Sequence, residues 1–368
     1  MSAPSQATDP IEIAGTCGAE FIALAREQLT LGAGIARVIY KDALRFGRFE
    51  PEAQGLRAST VDEWRTKFAL SLPRVVRVAS EESETGTTAK AVLALADGLE
   101  CECVLLPMGR GRTTLCVSSQ IGCKMGCRFC ETARMGLLRH MRTSEIVAQL
   151  LVARHVLGWE FRNVVFMGMG EALDNADNVL PALRVLTDPF GLGMSQERIT
   201  ICSVGHVEGI TRLQELGMKR LNLSISLNAG NDALRSEIMP VNRKTPLAEL
   251  QTVLLGYRPR TNFVLAVNYC LLPDKNDRLE HAREVAAFCK PLGRVMVNVI
   301  PYNPGTAPLT RAPSEDEIDA FVELLRDEGL PVRRRVTKGR SVMAACGQLG
   351  NLELRTLRRS AARAQSEQ

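Results

Sequence analysis

The sequence predicts an α/β fold, a partial (βα)6 barrel preceded by a helical module and a short β connector. Three observations predict it. From Thr113 onward, strand-like runs of β-branched residues alternate six times with stretches of helical periodicity. Each chemically distinctive motif falls just after one of those strands, where parallel α/β folds place their sites. The first of these motifs is a loop with three cysteines in eight residues, Cys123, Cys127 and Cys130.

Taken in order, the opening residues MSAPSQATDP carry neither a basic segment nor an apolar core of a signal peptide, and no apolar run approaches ~18 residues. Secretion and membrane insertion are not expected, and the chain is expected in the cytoplasm. From Gly18 to about Ser71, apolar residues recur at helical spacing: Phe21, Ala25 and Leu29, then Ile35 and Ile39, then Val61, Trp64 and Phe68. This defines a helical module over 1–72. Its Arg37, Lys41, Arg45, Arg48 and Arg57 suit phosphate contacts or a plain solvated face. Between 73 and 108, the runs Val75–Val78, Ala89–Leu95 and Cys101–Leu106, broken by Gly86 and Gly98, predict a short antiparallel connector.

The barrel core is expected over 109–345. Its strands are predicted at Thr114–Ser118, Asn163–Met167, Arg198–Ser203, Arg220–Leu227, Val264–Leu272 and Arg294–Ile300. Helices are predicted at Ser144–Val156, Ala176–Leu186, Gly209–Leu216, Leu247–Leu255, Leu279–Phe288 and Glu315–Arg326. A basic strand and loop, Val332–Arg340, leads to a final segment over 346–368 that opens at Cys346 and ends in a basic helix with Arg355, Arg358, Arg359 and Arg363.

Eleven cysteines in a chain with no secretory signal argue for metal or redox chemistry over a disulfide scaffold. Thiolates are soft ligands, and C-x3-C-x2-C can turn three of them toward one centre. A zinc site normally takes a fourth Cys or His nearby, and none follows at that spacing. On a 4Fe–4S cluster, three thiolates leave one iron open. The plainer readings are three buried structural cysteines or a zinc knuckle. Gly168-Met-Gly170-Glu171 puts a carboxylate at a strand end beside glycines, and a tight turn explains it equally well. A formal net charge of +5 permits nucleic-acid binding without requiring it.

The cysteine loop resembles the signature of radical S-adenosylmethionine (SAM) enzymes. Further motifs run Cys116-Val-Ser-Ser-Gln, Gly-Met-Gly-Glu171, Ser226-Leu-Asn-Ala-Gly-Asn-Asp, Met239-Pro-Val-Asn, Pro301-Tyr-Asn-Pro and Ala344-Ala-Cys346-Gly-Gln-Leu. Together they resemble the RlmN/Cfr family, radical SAM RNA methyltransferases that methylate adenine carbons, from about Glu102 to Leu349. The resemblance implies that Cys123, Cys127 and Cys130 hold one 4Fe–4S cluster. It implies SAM contacts at Gly170, Glu171, Ser226, Leu227, Asn228 and Asn303, with Cys202 or neighbouring Ser203 at a further SAM position. Cys346 matches the cysteine that is first methylated and then carries the carbon to adenine. Cys116 matches the cysteine that releases product through a transient disulfide, and Glu102 matches the proton acceptor.

Three positions depart from the family pattern: Ala172 for Pro, Asn228 for His and Cys202 for Ser. The expected activity is methylation of adenine C2 in 23S ribosomal RNA, with transfer RNA as a second substrate. An external electron donor such as flavodoxin is expected, and the protein is expected to act as a monomer. The rivals are a C8 methyltransferase or a paralogue with another RNA target, a radical SAM enzyme acting on a small molecule or peptide, and, outside enzymes, a zinc-stapled RNA-binding protein.

Overall fold

The structure, a computed structural model, describes residues 9–351. The basic helix expected around Arg355, Arg358, Arg359 and Arg363 lies outside the described residues. The chain forms two units. Of the described residues, one comprises 9–73 with 142–160 and 177–195, and the other comprises 74–141, 161–176 and 196–351.

In the first unit, β1 (Ile11–Glu12) pairs in parallel with β2 (Phe68–Ala69), and between them run α1 (Gly18–Gln28), α2 (Ala36–Phe46) and α3 (Ala58–Lys67). Helical spacing turns Phe21, Tyr40 and Trp64 onto one centre, where they meet Phe68. Ring centroids lie 5.6 Å apart for Phe21 and Tyr40, and 5.1 Å apart for Trp64 and Phe68. Asp188 accepts from the first N–H of α1, at Gly18, and from the Tyr40 hydroxyl, so a carboxylate sits at the positive end of that helix. Burial, followed by the Asp188 charge, pushes the Tyr40 phenol well above its ordinary range.

The second unit is organised by a ten-stranded sheet among the described residues. It opens with β3 (Arg74–Glu81), β4 (Thr88–Ala94), β5 (Glu100–Pro107) and β6 (Thr113–Cys116), all antiparallel neighbours. A small hairpin, β7 (Gln120–Gly122) and β8 (Leu137–His140), encloses α4 (Glu131–Met135). Helix α5 (Thr143–Leu151), extended by a π turn to Val156, leads to β9 (Asn163–Phe166), and α6 (Ala176–Thr187) leads to β10 (Ile199–Ser203). Then come α7 (Val207–Glu215), β11 (Asn222–Ser226), α8 (Asp232–Ile238), α9 (Leu247–Gly256), β12 (Leu265–Leu271), α10 (Leu279–Cys289), β13 (Val295–Pro301), α11 (Glu315–Asp327) and β14 (Val332–Arg334).

From β6 through β9 to β14, successive neighbours pair in parallel, and the order runs β14-β13-β12-β11-β10-β9-β6-β5-β4-β3. The sheet has two edges, β14 and β3, and is therefore a partial barrel. The stretch over 73–108 expected as a connector supplies three strands of this sheet, and α5 and α6 fall in the segments assigned to the first unit. All six strands and six helices expected from periodicity form.

Side-chain alternation decides what the sheet presents. Ile199 and Ile201, Leu223 and Ile225, Val267 and Tyr269, and Val297 and Val299 take one face, and all are fully buried. Tyr269 stacks on Phe321 of α11 at 5.1 Å, which identifies that face as the one covered by helices. The opposite face is small and polar: Cys116, Cys202, Ser224, Asn268 and Asn298. A strand buried on both faces would ordinarily be apolar on both, so these residues mark the inside of the barrel as a site.

Candidate active site

The site begins where β6 ends. Ser118 donates to the Glu102 carbonyl at 2.6 Å and accepts from Met169 N–H at 2.9 Å. The N–H groups of Ser119 and Gln120 both donate to the Met169 carbonyl. A Cβ at Gly168 would come within 2.6 Å of the Val117 carbonyl. A Cβ at Gly170, which has φ +99°, would come within 2.5 Å of Gln120. The Gly-Met-Gly-Glu turn thus lies against the cysteine loop at a distance only glycine permits. Gln120 closes the contact, accepting from Glu171 N–H and donating to Asp174, both at 2.8 Å.

Cys123 and Cys127 are buried and Cys130 is half-buried. They pack with Met125, Ala229, Ile238, Met239, Leu272 and Tyr302. Burial pushes the Cys123 thiol up to about 12 and raises those of Cys127 and Cys130. At Cys127 the charge of Arg235 opposes that rise. Arg235 is itself almost fully buried. It donates to the Leu227 carbonyl at 3.0 Å, to Asn242 at 2.6 Å and to the Val204 carbonyl at 2.6 Å, tying the ends of β10 and β11 together. Three thiols raised by an apolar shell, with a fixed cation beside one, suit a group that accepts thiolates and brings its own positive charge. By chemistry the three soft donors suit a cluster; among the described residues no three His, Cys, Asp or Glu side chains stand together as a metal site, so the fit rests on the donors' chemistry and not on their placement.

Glu171 is buried, and its two oxygens accept from Val204 N–H at 2.8 Å and Leu173 N–H at 3.1 Å. Burial raises its carboxyl to about 7, against the pull of those N–H groups and of a hydrogen bond from the Ser203 hydroxyl. Among the described residues no lysine or arginine pairs with it, so it is poised for an incoming cation. Asn303 Oδ1, just after β13, and Asn268 Nδ2, within β12, are buried without a partner among the described residues, an acceptor and a donor left over.

The remaining positions divide into open and occupied. Cys202 faces the barrel interior with Ser224, whereas the Ser203 hydroxyl accepts from Gly205 and His206 N–H at 3.1 Å and so shapes the turn. Ser226 is half-buried, and buried Leu227 donates its N–H to the Asn268 carbonyl at 3.0 Å. Asn228 adopts a left-handed φ of 60°; its side chain accepts from Cys270 N–H at 2.8 Å and lies 3.0 Å from the Met239 sulfur. Its amide is therefore taken up in shaping the bend after β11.

The C-terminal loop closes over this face. Cys116 packs with Met135, Met169, Ala344 and Leu349. Cys346 is exposed, yet protein surrounds it closely enough to raise its thiol, with Arg335 opposing. The Cys116 thiol is raised well above its ordinary value by burial, then by Cys346 and Cys202. The structure thus brings Cys116, Cys202 and Cys346 into mutual electrostatic reach, and among the described residues all eleven cysteines are free thiols. Glu102 sits under the same loop. One of its oxygens accepts from Gly350 N–H at 3.1 Å and the other pairs with Lys90 at 3.4 Å, while Lys90 also donates to the Met343 carbonyl at 3.0 Å. Burial raises the Glu102 carboxyl and Lys90 lowers it.

Sequence reasoning missed Arg235, Gln120, Lys90 and Arg335. Gln120, Lys90 and Arg335 lie inside stretches it had named and Arg235 lies between two quoted motifs, but nothing in their spacing announced these roles.

Known proteins place these residues in context. The model of the radical SAM superfamily matches residues 117–284. A probable dual-specificity RNA methyltransferase RlmN 1 from Protochlamydia amoebophila is 46% identical over 276 residues, 75% of this chain and 76% of that protein. A dual-specificity RNA methyltransferase RlmN from Syntrophotalea carbinolica is 40% identical over 279 residues, 76% of this chain and 73% of that one. The crystal structure of a radical SAM methyltransferase from Sphaerobacter thermophilus matches 92% of this chain and 99% of its own, with a TM-score of 0.82 at 33% identity. Among the described residues, no helix is long and apolar enough to cross a membrane.

Proposed function

The chain belongs to the RlmN family of radical SAM RNA methyltransferases, and from that membership we propose that it methylates an adenine carbon, C2, through a methyl-cysteine intermediate. The proposed substrate is 23S ribosomal RNA, with transfer RNA as the second. The observation that carries the reading is Cys346: an exposed thiol on a loop laid across the barrel face, with buried Cys116 within its field.

In this reading Cys123, Cys127 and Cys130 hold a 4Fe–4S cluster, and Gly170, Glu171, Cys202, Ser226, Leu227, Asn228 and Asn303 line the SAM site. When bound, cluster and SAM supply a one-electron route to a carbon radical, which an adenine carbon requires because it is a poor nucleophile. The chain's own residues do the rest. Glu171, costly to ionise alone, is paired by the ammonium of SAM. Asn303 Oδ1 supplies an unused acceptor and Asn268 Nδ2 an unused donor. Cys346, an exposed residue of the C-terminal loop, accepts a methyl group and holds the carbon as a thioether. Glu102, its carboxyl raised by burial, takes the proton that leaves the adenine carbon. The Cys116 thiolate attacks the Cys346 sulfur and breaks its bond to the transferred carbon, which leaves with the bonding pair and takes a proton to become the methyl group, while a Cys116–Cys346 disulfide remains to be reduced. An external electron donor such as flavodoxin completes the cycle.

Mass spectrometry of nucleosides in ribosomal and transfer RNA, from cells with and without the protein, tests this. The protein is expected to add 2-methyladenosine; 8-methyladenosine would move the target to C8, and neither would refute the reading. Cys346→Ala is expected to lower RNA methylation more than ~100-fold while SAM cleavage persists.

A further inference from the structure

We propose that Glu131, the residue after the third loop cysteine, is a positioning residue that sets where the Cys346 loop sits relative to the cysteine loop. Glu131 is buried. Its main-chain N–H donates to the Gly347 carbonyl at 2.8 Å, one residue from Cys346. Next to it, the Thr132 hydroxyl donates to the Leu349 carbonyl at 2.6 Å. Its carboxylate meanwhile accepts from Thr306 N–H at 2.8 Å and from the Thr306 hydroxyl at 2.9 Å. Arg134 donates to both carboxylate oxygens at 3.0 Å and to the Thr306 hydroxyl at 2.7 Å. Gly305 passes so close that a Cβ there would meet the carboxylate at 2.0 Å. The third side of the triangle is Gln348, which donates to the Pro304 carbonyl at 3.0 Å and accepts from Ala345 N–H at 3.2 Å.

Three segments therefore meet at one residue. Glu131, at the end of the cysteine loop, holds the loop carrying Cys346 by its main-chain N–H and the loop after Asn303 by its carboxylate. That second loop reaches the first again through Pro304 and Gln348. The Cys346 loop has no strand ladder to hold it. Its backbone takes left-handed φ at Met343 (53°), Gly347 (85°) and Gly350 (135°). Its place rests on bonds at its flanks, and Glu131 with Thr132 supplies those nearest the thiol. A carbon ferried on a side chain must arrive within ~3–3.5 Å of the atom it attacks, so a loop free by ~1 Å loses much of its rate.

The proposal deepens the function read above, and its test separates the two. Glu131→Ala and Glu131→Gln are made in the full chain and reconstituted without oxygen. Backbone hydrogen exchange over 343–350 is measured first, because it needs no turnover. Glu131→Ala is expected to speed exchange there about tenfold, with β10–β13 unchanged. Iron content and the spectrum of the reduced cluster are expected to hold. The ratio of 5′-deoxyadenosine released to methyl groups placed on RNA is expected to rise about tenfold. Glu131→Gln, which keeps one oxygen for Thr306 N–H, is expected to fall between Glu131→Ala and the unaltered protein. Unchanged exchange over 343–350 overturns the proposal, and so does loss of iron or exchange rising across the whole sheet. Failure of the methyl-cysteine reading shows separately, as RNA methylation that survives Cys346→Ala.

Discussion

Replacing Glu171 with glutamine is expected to stabilise the SAM-free protein at alkaline pH while weakening its hold on SAM. In the folded chain burial lifts this carboxyl from 4.5 to about 7, which corresponds to about 3 kcal/mol at ~1.4 kcal/mol per tenfold change in proton affinity. The folded state binds the proton more tightly than the unfolded state. The protonated form therefore favours folding below pH 4.5, and that advantage disappears as pH rises through about 7. Above that pH, the ionised side chain opposes folding by nearly the full amount. Glutamine removes the charge, but its one carbonyl can serve Val204 N–H or Leu173 N–H and not both, which costs about 1 kcal/mol. The net gain is about 2 kcal/mol at pH 8.5, shrinking to a few tenths of a kcal/mol at pH 5.5. Urea unfolding of cluster-loaded, SAM-free protein at the two pH values measures it. Circular dichroism is the observable, because Trp64 and Trp159 both belong to the other unit and their fluorescence would report on that unit. SAM affinity is expected to drop about 100-fold in the variant, and in the unaltered protein about tenfold per pH unit below 7. A stability difference that does not change with pH, or a glutamine variant that binds SAM normally, refutes the reasoning.

Two further outcomes follow from the same geometry. Arg235→Met keeps the volume but leaves the Leu227 and Val204 carbonyls without their buried donor, so the urea midpoint should fall by the equivalent of about 2–4 kcal/mol. Arg235→Lys, reaching one carbonyl, should recover part of that loss. Gly170→Ala demands a left-handed φ of a residue with a Cβ and pushes Gln120 away from Glu171 N–H. Steady-state kinetics are expected to show KM for SAM raised about tenfold or more, with a smaller change in kcat.

Much of the fold was legible because burial imposes periodicity. The alternation at Asn163–Phe166 and Leu265–Leu271, and the helical stripes of α9 and α10, are what one-sided or two-sided burial demands. The elements that escaped notice are those whose residues serve the site. Helix α8 is short and polar because Arg235 within it makes buried hydrogen bonds and Asn231 before it caps its first turn. The β7–β8 hairpin interrupts the cysteine loop with Gly122, whose added Cβ would strike the Gly136 carbonyl at 1.8 Å. The grouping of α5 and α6 with the N-terminal helices was invisible too, since hydrophobic stripes do not name the partner they bury against.

The order of residues along the chain was enough to settle local chemistry: three thiols in one loop, a carboxylate after two glycines, and a lone cysteine among small residues far downstream. Those patterns survive translation into one dimension because spacing within a loop or along a strand is covalent. Only the folded chain decided that Glu171 has no lysine or arginine partner among the described residues, that Asn228 spends its amide on Cys270 N–H and the Met239 sulfur and that Glu131 ties three distant loops together. Charge state, hydrogen-bond satisfaction and loop anchoring depend on which atoms exclude water around a group, and residues far apart in the sequence supply those atoms.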